Sequence, residues 1–176
     1  ATREPGGTRI GKTLRDLLLS NDSMIASNRT ELFLFAADRC EHIEQVIKPA
    51  LNRGDWVVCD RYVDSSRVYQ GSLGGLSQSF IETTSEQCTK NLHPDVTFLL
   101  ECDVELALMR LSKRQVKESD IKRYDDATRS FHEQLKRAFH ELALRHSDRI
   151  VRLNSAENIQ SLLRSAQDQL EKRCLL

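Results

Sequence analysis

Short apolar runs bounded by polar or turn-forming residues predict the strands of this chain. Trp56–Cys59 and Val96–Leu100 are apolar or β-branched throughout and lie between turn-forming and charged residues. Ile150–Leu153, which ends at Asn154, is a third and weaker candidate. Short runs of this composition are typical of strands that are covered on both faces. We therefore expect a sheet whose strands lie in the interior.

Helical spacing predicts two helices before the first strand. Leu14, Leu17 and Leu18 fall on one face of a short helix. A longer helix is expected from about Thr30 to Asn52, and Pro49 should kink or loosen its last turn because proline has no N–H. The predicted apolar side of this longer helix carries Leu34, Ala37, Ile43, Val46, Ile47 and Leu51.

The second half of the chain alternates helices with the other two strands. Asp103 is expected to cap a helix that continues through Leu111, and Phe131–Leu142 has the spacing of a long helix that ends before His146. Ser155 is expected to cap the last helix. This alternation predicts an α/β fold with a parallel sheet. In such a sheet ligands bind beyond the carboxyl ends of the strands, where polar residues follow each predicted strand here.

Composition narrows the class of protein. The 176 residues carry 26 Lys+Arg and 26 Asp+Glu, and this zero net charge argues against a bulk nucleic-acid binder because counterion release needs an excess of basic charge. No apolar run approaches the roughly 18–20 residues that cross a bilayer, and the first residues do not form the apolar stretch of a signal peptide. Five cysteines without a C-x-x-C pair are typical of reduced thiols. We therefore expect one cytoplasmic domain over residues 1–176.

A Gly-rich segment matches the sequence pattern of a phosphate-binding loop. Gly6–Thr13 fits the pattern G-x-x-x-x-G-K-[ST], in which backbone N–H groups, a lysine and a hydroxyl bind phosphates and magnesium. That motif requires a buried strand before the loop, whereas the residues before Gly6 are polar and include Pro5. We interpret the segment as a turn that leads into the helix of Leu14, and we predict that it does not bind ATP.

Three segments in a fixed order resemble bacterial thymidylate kinase. They are Thr2–Thr8 (TREPGGT), Leu34–Arg39 (LFAADR) and Asp60–Gly71 (DRYVDSSRVYQG), and Pro94–Leu100 (PDVTFLL) follows them. The resemblance covers essentially the whole chain, and DRY…YQG is its most specific part. It implies an α/β, three-layer fold of the phosphate-loop nucleoside-monophosphate-kinase type, with a parallel sheet and helices on both faces. The family's phosphate loop lies upstream of TREPGGT, so the resemblance implies that the first βα unit is missing from this chain.

The resemblance also implies an activity. It is the phosphorylation of dTMP to dTDP with ATP and Mg²⁺, in the cytoplasm and on the route to dTTP. The expected partners are dTMP and ATP, not nucleic acid or a membrane, and the expected assembly is a homodimer of helices packed across a two-fold axis. Without the phosphate-loop segment, the chain as given is expected to be inactive. Two alternatives remain open: another nucleotide or deoxynucleoside kinase, and a non-catalytic nucleotide-binding protein without a phosphate loop.

Candidates for the phosphate chemistry follow the first strand and precede the Gly-rich turn. Phosphoryl transfer brings two anions together, a task that suits arginine forks and magnesium more than a strong base. Arg61 is expected to clamp the acceptor phosphate, with a surface ion pair as the alternative. Asp60 would position Arg61 or a magnesium-bound water, or else act as a structural cap. Arg3 and Glu4 resemble the family's loop beside the acceptor sugar and phosphate, although a solvated turn would have the same composition.

Candidates for base and sugar recognition lie on the long helix and in the DRY…YQG segment. Phe35 and Arg39 are four residues apart on one helix face, so both can reach one ligand. By resemblance, Phe35 stacks on thymine and Arg39 donates to a thymine carbonyl, which would disfavour the amino group of cytosine. Without the resemblance, Phe35 would be assigned to the core. Ser66 and Tyr69 resemble the residues that contact the base edge and the sugar, and Gln70 is their polar neighbour.

A basic stretch at about residues 110–124 resembles the lid that closes over the phosphate donor. Lys113 and Arg114 are its candidate catalytic residues, and a solvated helix end is the alternative. Where relatives often have Asp-Arg-Phe-Glu, this chain has Lys122–Asp125 (KRYD), so the basic groups of the lid can differ in position. The histidines and cysteines form no zinc-ligand pattern, so the metal expected is magnesium carried by ATP, near Asp60.

Overall fold

The computed structural model describes residues 1–20, 25–113 and 128–175, and their contacts group into two units. The amino-terminal unit contains the described residues up to His93, and the carboxy-terminal unit contains those from Pro94 onward. One domain over residues 1–176 stays a prediction. No helix among these described ranges is long and apolar enough to cross a membrane.

The amino-terminal unit contains a short pair of parallel strands among its helices. Thr2 pairs with Cys59 and Arg3 with Asp60. The elements of this unit are β1 (Thr2–Arg3), α1 (Arg9–Leu19), α2 (Asn28–His42), a π-helical turn (Ile43–Ile47), α3 (Lys48–Asn52), β2 (Cys59–Asp60), α4 (Val63–Ser66), a second π-helical turn (Arg67–Leu73) and α5 (Gln78–Thr89). The parallel direction agrees with the predicted fold class.

The first predicted strand is much shorter than its apolar run. Of the predicted strand Trp56–Cys59, only Cys59 belongs to β2, and Trp56 and Val58 are 59% and 67% exposed. A strand requires a hydrogen-bonded partner along its length, and β1 provides one only as far as Val58, whose carbonyl accepts the Thr2 N–H at 2.8 Å. The prediction of a buried strand at Trp56–Val58 is therefore wrong.

The Gly-rich segment is a turn followed by α1, as predicted. Thr8 caps this helix, because its hydroxyl accepts the Gly11 N–H at 3.0 Å and its carbonyl accepts the Lys12 N–H at 3.0 Å. The Gly11–Thr13 triplet thus lies within the helix, and these N–H groups bond to the cap instead of surrounding a phosphate. The predicted placement is confirmed, and the absence of ATP binding at this segment stays a prediction.

The long helix predicted from Thr30 to Asn52 is formed by α2, a π-helical turn and α3. The Lys48 N–H donates to the Ile43 carbonyl, which closes the wider turn directly before Pro49. Proline cannot donate within a helical ladder, and the π-helical turn absorbs this interruption without ending the helix. The predicted irregularity at Pro49 is present and takes this form.

The buried side of α2 is more polar than predicted. Its buried residues are Glu31, Leu32, Ala36, Asp38, Arg39 and His42. Ala37 is exposed and Leu51, in α3, is 42% exposed, so their assignment to the apolar side is wrong. The apolar periodicity misplaced this face because charged side chains turn inward to bind the segment around β1.

The carboxy-terminal unit contains a longer parallel pair. Its elements are β3 (Thr97–Glu101), α6 (Val104–Lys113), α7 (Arg129–Arg145), β4 (Ile150–Asn154) and α8 (Ile159–Lys172). β3 and β4 pair in parallel along their full lengths, from Thr97 opposite Ile150 to Glu101 opposite Asn154. Both strands and the long helix that ends before His146 are therefore confirmed, but the expectation that the strands lie in the interior is wrong for β3, where Leu100 is 56% exposed.

Ser155 does not cap the last helix. Its backbone N–H donates to the Glu101 carbonyl at 2.7 Å and so extends the ladder between β3 and β4. The cap is Asn158, whose side chain accepts the Ser161 N–H at 2.9 Å. The prediction was wrong because a serine near a helix start also fits the end of a strand.

Candidate functional site

β1 directs alternate side chains to opposite sides, as expected for a strand. Thr2 and Glu4 both contact His42 on α2, through a Thr2 Oγ1–Nε2 distance of 2.6 Å and a Glu4 Oε1–Nδ1 distance of 2.9 Å. Arg3 lies between them in sequence, is exposed, and acts electrostatically on Arg15. This short segment therefore directs Thr2 and Glu4 to a buried polar cluster and leaves Arg3 exposed.

The buried cluster is organised around an ion pair. Glu4 Oε2 accepts from Arg39 Nε at 2.8 Å, and both side chains are 2% exposed. Arg39 Nη2 donates to the hydroxyl of buried Ser66 at 3.4 Å. Removing one member of such a pair leaves an uncompensated charge in the interior, so the guanidinium is held firmly.

Tyr62 borders the same guanidinium. The Arg39 Cζ lies 5.2 Å from the centre of the Tyr62 ring, within the range of a cation–π contact. The Tyr62 hydroxyl donates to the Leu92 carbonyl at 3.1 Å. Burial, with a further contribution from the charge of Glu4, raises the pKa of the Tyr62 phenol, so it remains a neutral donor. A carboxylate, a hydroxyl and a ring face together fix the orientation of Arg39.

Asp38 connects α2 to the Gly-rich turn. It is fully buried, and its Oδ1 accepts the Gly6 N–H at 3.1 Å. Burial raises the pKa of the Asp38 carboxyl, the Gly6 N–H opposes this, and the charge of Glu4 adds to the increase. Gly11 is required nearby, because a Cβ there would lie 2.3 Å from Asp38 Oδ1. This carboxyl therefore fixes the turn to the helix that carries Arg39.

Arg3 and Arg61 act electrostatically on Arg15 in the amino-terminal unit. Burial is the main cause that lowers the pKa of the Arg15 guanidinium; Arg3 and Arg61 lower it further, and Asp60 acts in the opposite direction. Arg15 is fixed by its Nη1, which donates to the Pro5 carbonyl at 2.9 Å. Arginine side chains brought together in this way form a site suited to a phosphate group.

The backbone of Arg61 adopts a conformation that is uncommon for a residue with a side chain, with φ of 66°. Its carbonyl accepts from the Cys59 thiol at 3.1 Å, and burial, the largest cause, raises the pKa of Cys59 to about 12, so the thiol keeps its hydrogen. The Arg61 guanidinium lies 5.3 Å from the centre of the Tyr69 ring. Strained backbone of this kind is concentrated at functional sites, and here it aims a guanidinium.

The remaining base and sugar candidates surround these groups. Phe35 is half-buried one helical turn from Arg39. Ser66 contacts Arg39, and Tyr69 is half-buried under Arg61. Gln70 is buried and donates to Glu31 Oε2 at 2.9 Å, which makes it a support between two segments.

The lid candidates are Lys113 and Arg114. Lys113 is exposed in the last turn of α6, in the carboxy-terminal unit. Arg114, the rest of the stretch to residue 124 and the KRYD segment lie outside the described residues. Their roles stay predictions.

A second polar region lies in the carboxy-terminal unit, at the carboxyl ends of β3 and β4. It is a cleft of about 870 Å³. Arg152 Nε donates to Glu101 Oε2 at 2.7 Å, and Lys136 Nζ donates to Asp103 Oδ1 at 2.9 Å. These lining charges are paired with one another at the surface, unlike the buried pair of Glu4 and Arg39.

The magnesium expectation depends on Asp60. The described part of the chain contains no group of three or more His, Cys, Asp or Glu residues that could hold a metal ion by itself. Magnesium bound to a nucleotide commonly uses one or two protein carboxylates together with phosphate oxygens and waters. The exposed Asp60 carboxylate beside the arginines fits that smaller role.

Sequence reasoning missed three residues of this region: Arg15, Asp38 and His42. Two of them had a usable signal, because positions 35, 38, 39 and 42 share one face of a helix. His42 is fully buried between two polar partners. Arg15 had no such signal, since its approach to Arg61 depends on the turn between β1 and α1.

Comparison with known proteins gives one consistent result. A family profile described as thymidylate kinase matches residues 1–166. Thymidylate kinase of Trichodesmium erythraeum is 42% identical over 156 residues, which are 88% of this chain and 67% of that protein. Thymidylate kinase of Maridesulfovibrio salexigens is 35% identical over 175 residues, which are 98% of this chain and 81% of that protein.

A solved structure supports the same assignment. The crystal structure of thymidylate kinase from Ehrlichia chaffeensis matches with a TM-score of 0.67 and 28% sequence identity. The match covers 86% of this chain and 71% of that chain. This similarity confirms the predicted fold class, while the missing first βα unit stays a prediction.

Proposed function

The chain belongs to the thymidylate kinase family, and we propose that it contributes the acceptor site for transfer of the γ-phosphoryl group of ATP to dTMP. The products of this reaction are dTDP and ADP, and its place is in dTTP synthesis. The observation that carries the site assignment is the division made by β1. Glu4, directly after this strand, pairs with Arg39, and Arg3, within the strand, is exposed and acts electrostatically on Arg15 together with Arg61.

The base would bind on the side of Arg39. Phe35, one turn away, is placed to stack on the pyrimidine ring. Arg39 Nε donates to Glu4 and Nη2 to Ser66, and the remaining nitrogen, Nη1, would donate to a ring carbonyl. Cytosine presents an amino donor at that position, which an arginine donor rejects.

The sugar and its phosphate would extend toward the arginines. Tyr69, held under Arg61, would pack against the 2′ carbon and crowd a ribose hydroxyl. Arg61, Arg15 and Arg3 would neutralise the acceptor phosphate, with Glu4 behind β1 as the fixed counter-charge. The acceptor phosphate is largely ionised at pH 7, so positioning and charge stabilisation supply the catalysis and no strong base is needed.

The donor would approach from the lid. Lys113 and Arg114 would add positive charge around the transferred group when the lid closes. Magnesium bound with ATP would neutralise phosphate charge. The Asp60 carboxylate would bind a water of this magnesium ion or hold Arg61.

The assembly and location are part of the same proposal. Exposed apolar side chains on α1 and α2, Ile10, Leu17 and Phe33, would form the surface of a homodimer. Sedimentation of the chain and of Phe33→Asp tests this, since a dimer that persists in the variant contradicts it. Five free cysteines are in keeping with a cytoplasmic location, which fractionation of cells expressing the protein would test.

The test of the acceptor site is dTMP binding measured by calorimetry, with dCMP and UMP as competitors. Phe35→Ala should weaken dTMP binding by about 1–3 kcal/mol, the range for stacking of a base on an aromatic ring. Phe139→Ala, the same change on α7 of the other unit, is the matched control and should leave the affinity unchanged. Equal binding of dCMP, or unchanged dTMP affinity in a folded Phe35→Ala variant, contradicts the assignment.

The alternatives make different predictions in an assay of phosphoryl transfer. A kinase for another acceptor would prefer dCMP, UMP or an unphosphorylated nucleoside. A non-catalytic binding protein would bind dTMP without turnover. The expected inactivity of residues 1–176 alone stays a prediction, and dTDP formation by this chain would overturn it.

A further inference from the structure

His42 is a fully buried imidazole with a protein partner on each nitrogen. Nδ1 lies 2.9 Å from Glu4 Oε1, and Nε2 lies 2.6 Å from Thr2 Oγ1. Both partners come from the segment around β1, whereas His42 ends α2, the helix that carries Arg39. The imidazole therefore joins the two segments that meet at the Glu4–Arg39 pair.

The hydrogen positions follow from the partners. The Glu4 carboxylate already accepts from Arg39 Nε through Oε2, so its Oε1 accepts from His42 Nδ1–H. Nε2 is then the acceptor of the Thr2 hydroxyl hydrogen in the neutral ring. The result is one directed chain from Thr2 through His42 to Glu4, which meets Arg39 at the same carboxylate.

The space around the imidazole fixes its position. A Cβ at Gly7 would lie 2.4 Å from His42 Cδ2 and 2.6 Å from Nε2, and 3.0 Å from the Arg3 carbonyl oxygen. Only a residue without a side chain allows the turn to close over the ring at this distance. The ring is thus clamped between its polar partners and the backbone of the turn.

We propose that His42 is a positioning residue for base recognition: it holds the Glu4 carboxylate in one rotation, and Glu4 in turn aims the Arg39 guanidinium. Without the Nδ1 donor, Glu4 Oε1 has lost its imidazole partner, and the carboxylate can turn toward a second nitrogen of Arg39. That turn would move the guanidinium away from the base. The inference rests on the proposed role of Arg39 in binding dTMP.

Two substitutions separate positioning from packing. His42→Asn keeps an N–H donor near the position of Nδ1, whereas His42→Leu fills the space without a donor. We expect His42→Leu to weaken dTMP binding at least about tenfold, the loss of one hydrogen bond to a charged group, and to reduce the preference for dTMP over dCMP. His42→Asn should recover most of both. Ile47→Ala, a buried apolar change in the following helical turn, should lower the melting temperature and leave dTMP affinity unchanged.

A double-mutant cycle tests the route through Glu4. In a Glu4→Gln background, His42→Leu should cause little further loss of dTMP affinity, because the group through which His42 acts has already been altered. Additive losses in the cycle, or equal effects of His42→Leu and His42→Asn on affinity, would overturn the proposal.

One readout without ligand keeps the inference separate from the proposed function. The side-chain Nε–H resonance of Arg39 in nitrogen-15 spectra should be retained in His42→Asn and shifted or lost in His42→Leu. If the unaltered chain does not bind dTMP, the proposed function fails and base positioning fails with it. If the chain binds dTMP and His42→Leu changes neither the Arg39 resonance nor dTMP affinity, the inference alone fails.

Discussion

In the amino-terminal unit, Glu4, Arg39 and His42 bond to one another with almost no access to water, whereas Arg152 and Glu101 of the carboxy-terminal unit pair at the surface. Within the part of the chain that the structure describes, every buried polar or charged residue lies in the amino-terminal unit. The buried residues recorded in the carboxy-terminal unit are Val104, Leu142, Ala143, Ile150 and Leu153, which are apolar.

This difference has an energetic consequence for the two units. A buried charge costs free energy unless it is paired and hydrogen-bonded, so an apolar interior is the easier way to build a stable fold. In the amino-terminal unit, buried charges are instead paired with one another, as Glu4 is with Arg39. The charges of the carboxy-terminal unit solvate its helices and the rim of its cleft.

The largest expected contrast is between two arginines. Arg39→Ala should lower the free energy of unfolding by about 3–5 kcal/mol, because it leaves Glu4 charged and unpaired in the interior. Arg152→Ala should lower it by about 0–1 kcal/mol, since its partner Glu101 remains accessible to water. Urea unfolding followed by circular dichroism measures both, and similar midpoints for the two variants would remove the contrast.

A second contrast concerns arginines that bind two carboxylates. Arg67 pairs with Glu82 through two nitrogens, at 2.8 and 2.6 Å, and with Asp64 at 2.8 Å, and its side chain is 10% exposed. Arg67→Met should cost about 1.5–3 kcal/mol of stability, the range for hydrogen bonds to charged groups. Arg129→Met, at an arginine that also contacts two carboxylates but is 62% exposed, should leave the urea midpoint unchanged. Equal shifts would show that burial does not decide the effect.

Helix caps provide a smaller contrast. The Thr8 hydroxyl accepts a buried N–H of Gly11, and the Thr128 hydroxyl accepts an exposed N–H of Phe131 at 3.3 Å. Thr8→Ala should cost about 1–2 kcal/mol and Thr128→Ala about 0.5–1 kcal/mol, because water replaces the cap only in the second case. Thermal melts of the two variants check this order, which a larger loss at Thr128 would reverse.

The smallest expected effect is a difference in the sign of a pH slope. The pKa of Asp38 is raised by burial, so its contribution to stability is greatest below about pH 4, the unfolded value, and declines as the pH rises toward the folded value. The melting temperature of Asp38→Asn relative to the parent should therefore increase from pH 4 to pH 7.

Asp103 in the other unit provides the opposite case. Lys136 lowers the pKa of Asp103, so this carboxylate stabilises the fold above about pH 4 and loses that effect as the pH falls. Asp103→Asn should thus lose melting temperature relative to the parent as the pH rises from 3 to 5. Slopes of the same sign for the two variants would contradict the assigned environments.

The sequence predicted most of the regular structure and part of the site. The apolar runs located β3 and β4, and the motif segments indicated Glu4 and Arg39 before any contact between them was visible. The polar face of α2 was not predictable, because hydrophobic periodicity assumes that charged residues face water. The backbone of Arg61 and the position of Arg15 were also missed, since both depend on the turn that brings β1 next to β2.

Because β1 is only two residues long, the arrangement around it depends on the position of each residue along the strand. Deleting Arg3 would shift each following side chain to the opposite face, because orientation alternates at every residue. Glu4 would then turn away from Arg39 and His42, and its negative charge would offset the positive charge of the arginines instead of pairing with Arg39. The Glu4–Arg39 pair thus depends on the alternation of side chains along β1 and the residue that follows it, so deletion of one residue there is expected to be more damaging than most substitutions.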